Sequence, residues 1–270
     1  CGARRVVRRV VRRHRCGCIR DSYPATPPAQ VSDLDFCHEV IGLTAKYGLY
    51  VISDLAYSAI SIGGSPPPSL LRVPGARGRT VEFASQSKTF SMPGWRMGFA
   101  VGNEKLINAL GRVKSYLDYG AFTPIQVAAT AALNGPQDCV AEIRATYKHR
   151  RDVLVDSMSR AGWDIPSPPA SMFAWSPIPE KFRHLGSMGF ATLLLEQADV
   201  AVAPGIGFGE YGDGHVRIGL VENEQRIRQA ARNVKRMMQN ADQIIAEYEE
   251  RVGISASVVP HPSSTRAGRT

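Results

Sequence analysis

The sequence is short of acidic residues in one place, of paired cysteines throughout, and of long apolar runs everywhere. Residues 1–20 contain no aspartate or glutamate but eight arginines: Arg4, Arg5, Arg8, Arg9, Arg12, Arg13, Arg15 and Arg20. The net charge of +9 is therefore local, because the remaining residues carry 25 basic against 24 acidic side chains. A nearly neutral body gives no reason to expect nucleic acid or an anionic membrane as its partner; such a partner can rest only on the first segment. The five cysteines (Cys1, Cys16, Cys18, Cys37 and Cys139) are odd in number and unevenly spread. That excludes a secreted disulfide framework and makes reduced thiols in the cytoplasm the expectation. His14, Cys16 and Cys18 lack the two-residue gap and second ligand pair of a zinc site, so no metal is expected. No apolar run approaches the ~18 residues needed to span a bilayer, and the first residues lack the apolar stretch of a secretory signal. There is no internal repeat.

What is present is an alternating pattern with 44% hydrophobic residues, enough for a sizeable core in a chain of 270. Ser32 is placed to cap a helix with apolar positions at Leu34, Cys37, Val40 and Ile41, and Gly48 ends it. Strands are expected at Leu49–Ser53, Val81–Ala84 and Met97–Val101, the first a continuous apolar run of the parallel-sheet kind. Helices are expected at about Asn103–Leu117 and Ile125–Leu133, the second opened by Pro124. Beyond Gly135 the pattern predicts a long charged helix, about Pro136 to Arg160. Strands near Met172–Ser176, Val200–Val202 and Val216–Leu220 follow, with helices at Phe190–Ala198 and about Asn223–Glu250. This alternation is that of an α/β protein with a smaller second domain. The boundaries fall at 1–21 (Arg-rich), 22–135, 136–250 and a flexible tail, 251–270.

Two stretches carry chemistry. Ser85-Gln-Ser-Lys88-Thr-Phe-Ser-Met-Pro-Gly94-Trp-Arg96-Met-Gly98 lies between two expected strands. It sets a lysine among hydroxyls with an arginine eight positions on. Lysine in a closed site loses its charge and attacks an aldehyde, while arginine and serine hydroxyls suit a phosphate. The plain alternative is a surface turn with Lys88 and Arg96 in water. The strand Leu49–Ser53 leads into Asp54-Leu-Ala-Tyr57, and the carboxyl ends of parallel strands are where ligands sit. Asp54 suits a protonated ring nitrogen and Tyr57 a hydrogen bond to the same ligand. Alternatively, Asp54 caps the next turn and Tyr57 is half-buried. A third stretch, Gly205-Ile-Gly-Phe-Gly209, lacks the G-x-G-x-x-G spacing of a dinucleotide loop.

The pattern D-x-A-Y followed by S-x-S-K-(x)5-G-x-R-x-G resembles the class I/II pyridoxal 5′-phosphate aminotransferases of fold type I. The likeness continues through Ser115-Tyr-Leu-Asp-Tyr-Gly, Asn134-Gly-Pro-Gln-Asp and Pro204-Gly-Ile-Gly-Phe-Gly-Glu-Tyr-Gly to Val216-Arg217-Ile-Gly-Leu. It is greatest toward the alanine and LL-diaminopimelate branch and covers about residues 22–240. The resemblance implies the C-terminal part of a large, mostly parallel cofactor-binding domain plus a smaller α/β domain. It also implies a homodimer, amino acids and 2-oxo acids as substrates, and transamination through a pyridoxal-phosphate Schiff base on Lys88. By the same resemblance Asp54 pairs with the pyridine nitrogen and Tyr57 bonds the 3′ oxygen. Ser85 and Arg96 hold the phosphate, with Ser87 a further candidate, and Arg217 binds the substrate α-carboxylate.

Two departures stand out. Where the family carries Asn-x-Pro-x-Asn-Pro-Thr, this chain has Ser22-Tyr-Pro-Ala-Thr26-Pro27-Pro28, so Thr26 replaces an amide donor with a shorter hydroxyl. The family's N-terminal portion, with its phosphate loop and stacking aromatic, has no counterpart, and the Arg-rich segment stands there instead. The expectation is thus an aminotransferase polypeptide lacking that portion, either active or a catalytically inactive fragment. For the Arg-rich segment two readings compete. One is a cationic membrane- or nucleic-acid-binding module, with Val6, Val7, Val10 and Val11 at helical spacing; the other is a shifted reading frame of GC-rich coding sequence.

Overall fold

The computed structural model describes residues 17–64 and 66–253. Most of the Arg-rich segment, with His14 and Cys16, and residues 254–270 of the tail expected over 251–270 lie outside the described residues, while Arg251 and Val252 of that expected tail are helical. The chain divides into two compact units, residues 1–151 with 167–174, and residues 152–166 with 175–270. The division falls inside one long helix, whereas the change of sequence texture comes at 135.

In the first unit, β1 (Cys18–Ser22), β2 (Tyr50–Asp54) and β3 (Thr80–Ser85) are parallel neighbours. An antiparallel edge strand, β4 (Gly98–Gly102), closes the sheet in the order β1-β2-β3-β4. The mostly parallel sheet agrees with the expected α/β class. Helix α1 (Leu34–Tyr47) buries Cys37, Val40, Ile41 and Thr44, a stripe at i, i+3, i+4 and i+7. These pack with Val51, Leu70, Val73 and Ala76 in one apolar cluster. The cap of α1 is Asp33 rather than Ser32: its carboxylate accepts the Phe36 amide at 2.7 Å. Gly48, with φ 63, ends the helix as expected and donates back to the last turn.

A short helix, α2 (Gln86–Thr89), follows β3 directly, and α3 (Glu104–Leu117) starts from Asn103, whose side chain accepts the Leu106 amide. Then come α4 (Thr123–Asn134) and α5 (Asp138–Ser159). α3 buries no residue, and α4 buries only Ala129. Residues 167–174 return to this unit, where Ile62 and Gly63 donate to the Pro169 carbonyl at 2.9 and 2.7 Å. The Arg151 guanidinium, itself buried, ties the Ile62 and Pro168 carbonyls together.

The second unit contains β5 (Phe173–Pro177) from its third residue, α6 (Gly186–Ala198), β6 (Ala203–Pro204), β7 (His215–Gly219), α7 (Glu224–Gln239) and α8 (Ala241–Val252). Its sheet order is β5-β7-β6. Trp163 and Phe182 each meet Phe190 at 5.3 Å between ring centroids, and the Trp163 indole N–H reaches the Pro177 carbonyl at 2.9 Å. Ile227, Ala231, Val234 and Met237 of α7 supply the facing stripe.

Two expectations need correction here. The strand expected at Val200–Val202 forms later, at Ala203–Pro204, opposite Arg217 and Val216. Asp199 ends α6 in the left-handed conformation and the Val200 amide turns back to the Leu194 carbonyl, so those residues complete a helix cap. The single helix expected over Asn223–Glu250 is two, broken at Asn240, which leaves helical geometry at φ −107 and ψ 21. Its side-chain amide bonds the Arg236 carbonyl instead, the competition that makes asparagine a poor helix-interior residue.

Candidate active site

Parallel pairing sets Ser22 opposite Asp54 and Asp54 opposite Phe83, so the carboxyl ends of β1, β2 and β3 meet at one edge. A cavity of about 560 Å³ opens there, within the range usual for small-ligand sites. Asp54, Tyr57, Ser85 and Lys88 all line it, so the structure brings together four of the residues singled out from the sequence. β1 and the turn after it complete the wall with Arg20, Asp21, Ser22 and Thr26.

Each of the four side chains has a local reason for its place. Asp54 ends β2, and its carboxylate accepts the Ala56 amide at 3.2 Å, a turn that re-aims the chain toward Tyr57. The ring of Tyr57 stands edge-on to Phe173 with centroids 6.0 Å apart, which fixes its plane. Ser85 ends β3 without spending its hydroxyl on the amides of α2. Lys88 lies one turn on, its ammonium 5.8 Å from the Tyr57 ring centroid. α2 is short but anchored, because the buried Gln86 side chain donates to the Ala129 carbonyl at 3.3 Å and Thr89 to the Ser85 carbonyl at 3.2 Å.

The other candidates lie elsewhere. Arg96 is exposed, in the left-handed conformation at φ 51, and donates to the Pro93 carbonyl at 3.1 Å. Ser87 is buried and does not line the cavity. Arg217 belongs to the second unit, on β7, where its guanidinium lies 4.6 Å from the Phe208 ring centroid.

Two wall residues escaped the sequence reading. The Arg20 guanidinium stands 3.5 Å from the Asp54 carboxylate, with Arg20 largely exposed. Asp21 is mostly buried, and one of its oxygens has no hydrogen-bond partner. Burial pushes its carboxyl up to about 6; the Ser53 hydroxyl opposes this, and the Glu82 and Asp54 carboxylates add to it. Burial, with the Asp21 charge adding to it, raises the Tyr23 phenol as well. Periodicity gave no signal for either wall residue, because Arg20 closes the Arg-rich segment and Asp21 breaks an apolar pattern.

An amine, a phenol, hydroxyls and a carboxylate around one cavity fit the ring and aldehyde of a pyridoxal group. The unpartnered oxygen of Asp21 marks a wall with hydrogen-bonding capacity to spare. At the phosphate end the fit is narrower: Ser85 is in the wall, and Arg96 is engaged with Pro93.

A family model described as aminotransferase class I and II matches residues 11–234, a span that opens inside the Arg-rich segment. The chain belongs to this family. Its members depend on pyridoxal phosphate. AatC of Rhizobium meliloti is 67% identical over 82% of this chain, and the glutamate-pyruvate aminotransferase AlaC of Escherichia coli is 53% identical over 80%. The chain spans about half the length of these relatives, 55% and 52%. Among solved structures, apo BacF from Bacillus subtilis superposes with a TM-score of 0.78 at 33% identity, covering 82% of this chain and 56% of BacF. Among the described residues, no helix is long and apolar enough to cross a membrane.

Proposed function

We propose that this aminotransferase chain binds pyridoxal phosphate at Lys88 and moves an amino group between an amino acid and a 2-oxo acid, of the glutamate–pyruvate type. One observation carries the reading: Lys88, Tyr57 and Asp54 converge on a single cavity at the carboxyl ends of parallel strands. The substrate type is supported by the 53% identity to a protein named for glutamate and pyruvate.

Bound there, the cofactor supplies an aldehyde that condenses with amines and a pyridine ring that takes up electrons released at the substrate carbon. The Asp54 carboxylate holds a proton on the ring nitrogen, keeping the ring electron-poor. The Tyr57 hydroxyl donates to the ring's 3′ oxygen, with the Thr26 hydroxyl on the same wall. Ser85 binds the phosphate, joined by Arg96 once its guanidinium leaves the Pro93 carbonyl. Lys88 anchors the cofactor's aldehyde. Released from the aldehyde, the Lys88 amine would be the base that takes the proton from the substrate Cα and holds it for return. Arg217 pairs with the substrate α-carboxylate in a bidentate geometry that lysine cannot reproduce.

The same reading includes a homodimer in the reducing cytoplasm. Tyr116, Tyr119 and Phe122 are 84%, 95% and 72% exposed along α3 and the loop into α4, an apolar surface of the kind subunits cover. Sedimentation at two protein concentrations checks it.

Borohydride reduction of the full chain with pyridoxal phosphate, followed by peptide mapping, tests the assignment. A pyridoxyl adduct confined to Lys88 is expected; no adduct, or one spread over surface lysines, overturns it. A second reading is a chain that binds cofactor without turning over. The Arg20 guanidinium beside Asp54 favours it, because it offers that carboxylate a rival cation. An adduct on Lys88 without alanine–2-oxoglutarate transamination selects this second reading.

A further inference from the structure

The turn that presents Tyr57 to the cavity is tied into a closed circuit of backbone and ring contacts. The Tyr57 carbonyl accepts the Ile60 amide at 3.0 Å, and the Ile60 carbonyl accepts the Ser171 amide at 2.8 Å. Between those bonds Ser61 and Ala170 form an antiparallel bridge. Two residues after Ser171, the Phe173 ring returns to Tyr57, edge-on at 71° with centroids 6.0 Å apart. Ile60, Ser61, Ala170 and Ser171 are all buried, and the whole circuit lies in the first unit.

Residues 167–174 thus form a strap alongside the turn, and α5 clamps the two together. The Arg151 guanidinium donates to Pro168 on the strap and to Ile62 beyond the turn, while the Arg144 guanidinium donates to the Ala59 carbonyl at 3.2 Å. At Gly63 the approach is so close that an added Cβ would stand 2.9 Å from the Pro169 Cα. Ser171 adopts the left-handed conformation at φ 75, and its buried hydroxyl has no hydrogen-bond partner among the described residues. A serine persists in that conformation where its surroundings over-determine it, and such residues gather at ligand clamps and active sites.

We propose that Phe173, carried on this strap, is a positioning residue for Tyr57: it sets the plane of the phenol ring and so the direction in which the hydroxyl proton is offered to a cavity ligand. A phenol O–H lies in the plane of its ring, and a hydrogen bond weakens steeply as its alignment is lost. The backbone circuit fixes where the Tyr57 oxygen stands, because rotation about the Cβ–Cγ bond leaves that oxygen on its axis. The edge-on contact with Phe173 restricts the rotation itself. Tyr57 and Phe173 each have further interactions, and the Lys88 ammonium is 5.8 Å from the Tyr57 ring centroid. Phe173 acts together with these, as a neighbour that a turning ring must displace.

The proposal rests on the reading of Tyr57 as a donor to the cofactor's 3′ oxygen, and the test separates the two. The full chain is compared with its Phe173→Leu, Phe173→Tyr, Gly63→Ala and Tyr57→Phe variants. The pH midpoint of the visible absorbance is read with pyridoxal phosphate bound. The flip rate of the Tyr57 ring is read without cofactor from carbon-13 tyrosine spectra, in which Tyr57→Phe identifies the resonance. A donor at the 3′ oxygen favours its negative form, so a misaligned donor raises the midpoint. Phe173→Leu is expected to raise it by about half a pH unit, a roughly threefold change in the proton equilibrium, and to speed the ring flip. Phe173→Tyr should keep both values near those of the parent chain. Gly63→Ala, which displaces the strap at Pro169, is expected to shift the proton equilibrium in the same direction by about twofold. A raised midpoint in Tyr57→Phe with an unchanged one in Phe173→Leu overturns the positioning role. A raised midpoint in Phe173→Leu with an unchanged one in Gly63→Ala overturns the part given to the strap. An unchanged midpoint in Tyr57→Phe overturns the donor reading instead. In that case a ring flip unmoved by Phe173→Leu overturns positioning as well, and a faster one upholds it.

Discussion

The two units spend their apolar residues differently. The second closes on itself: Trp163, Phe182, Phe190, Ile178, Leu193, Leu194 and Met237 are all nearly inaccessible, arranged around α6 and α7. The first has a well-packed face where α1 covers β2, yet its α3 buries nothing. Tyr116, Leu117, Tyr119 and Phe122 stand more than 70% exposed at its far end. The unit with the lysine cavity thus carries the longer stretch of exposed apolar side chains, although Tyr211, Met188 and Val221 of the second unit are exposed too, and it also holds Asp21, whose carboxyl burial raises to about 6. The unit with the carboxylate-binding candidate gathers its largest side chains in one packed core. Stability and chemistry are therefore expected to respond to different parts of the chain.

Trp163→Ala is the severest way to probe that contrast. It removes a ring held by Phe190 and by a hydrogen bond to Pro177, with an expected cost of about 3–5 kcal/mol in denaturant unfolding. Tyr119→Ser, at 95% exposure, should stay within about 0.5 kcal/mol. A comparable loss at both positions would erase the contrast.

Asp21 gives the next effect. Burial raises its pKa from 3.8 to about 6, so the folded chain holds a proton there that the unfolded chain has already released. Between those two values stability falls as pH rises, and the loss persists above pH 6. Asp21→Asn should remove that slope and raise stability at pH 7 by on the order of 2–3 kcal/mol. Chemical denaturation of both proteins from pH 4 to 7.5 checks it; parallel curves would show that Asp21 is charged in the fold at no cost.

Arg20→Met is expected to act on the cavity, leaving the core unchanged. Freed of its rival cation, Asp54 should bind pyridoxal phosphate a few-fold more tightly, since an exposed pair is worth up to about 1 kcal/mol. Absorbance titrations at low and high salt would show the difference shrinking as salt rises; weaker binding would mean that Arg20 aids the cofactor. Asp33→Ala, which removes the cap of α1, is expected to cost about 1 kcal/mol with the cavity unaffected.

Much of the candidate site could be read directly. Lys88, Asp54, Tyr57 and Ser85 follow strands whose apolar runs are plain, and ligands gather where such strands end. The helix boundaries at Gly48, Asn103 and Asn223 were equally legible, because capping is a matter of a few neighbouring residues. Arg20 and Asp21 were not legible. Their importance comes from the pairing of β1 with β2 across more than thirty residues, which sets Ser22 beside Asp54. Val200–Val202 misled for the converse reason: the Val200 amide is taken up by the end of α6, and strand pairing starts only at Ala203.

By itself the sequence determined which residues are chemically equipped, the family they belong to, and where most helices begin and end. These are short-range matters of side-chain type, spacing and backbone capping. Only the tertiary structure decided that four candidates share one cavity while Arg96 faces solvent. It alone decided that a buried aspartate titrates beside them and that Phe208 lies beneath Arg217. Burial and the distance between charges depend on which distant segments meet, and no local pattern encodes that meeting.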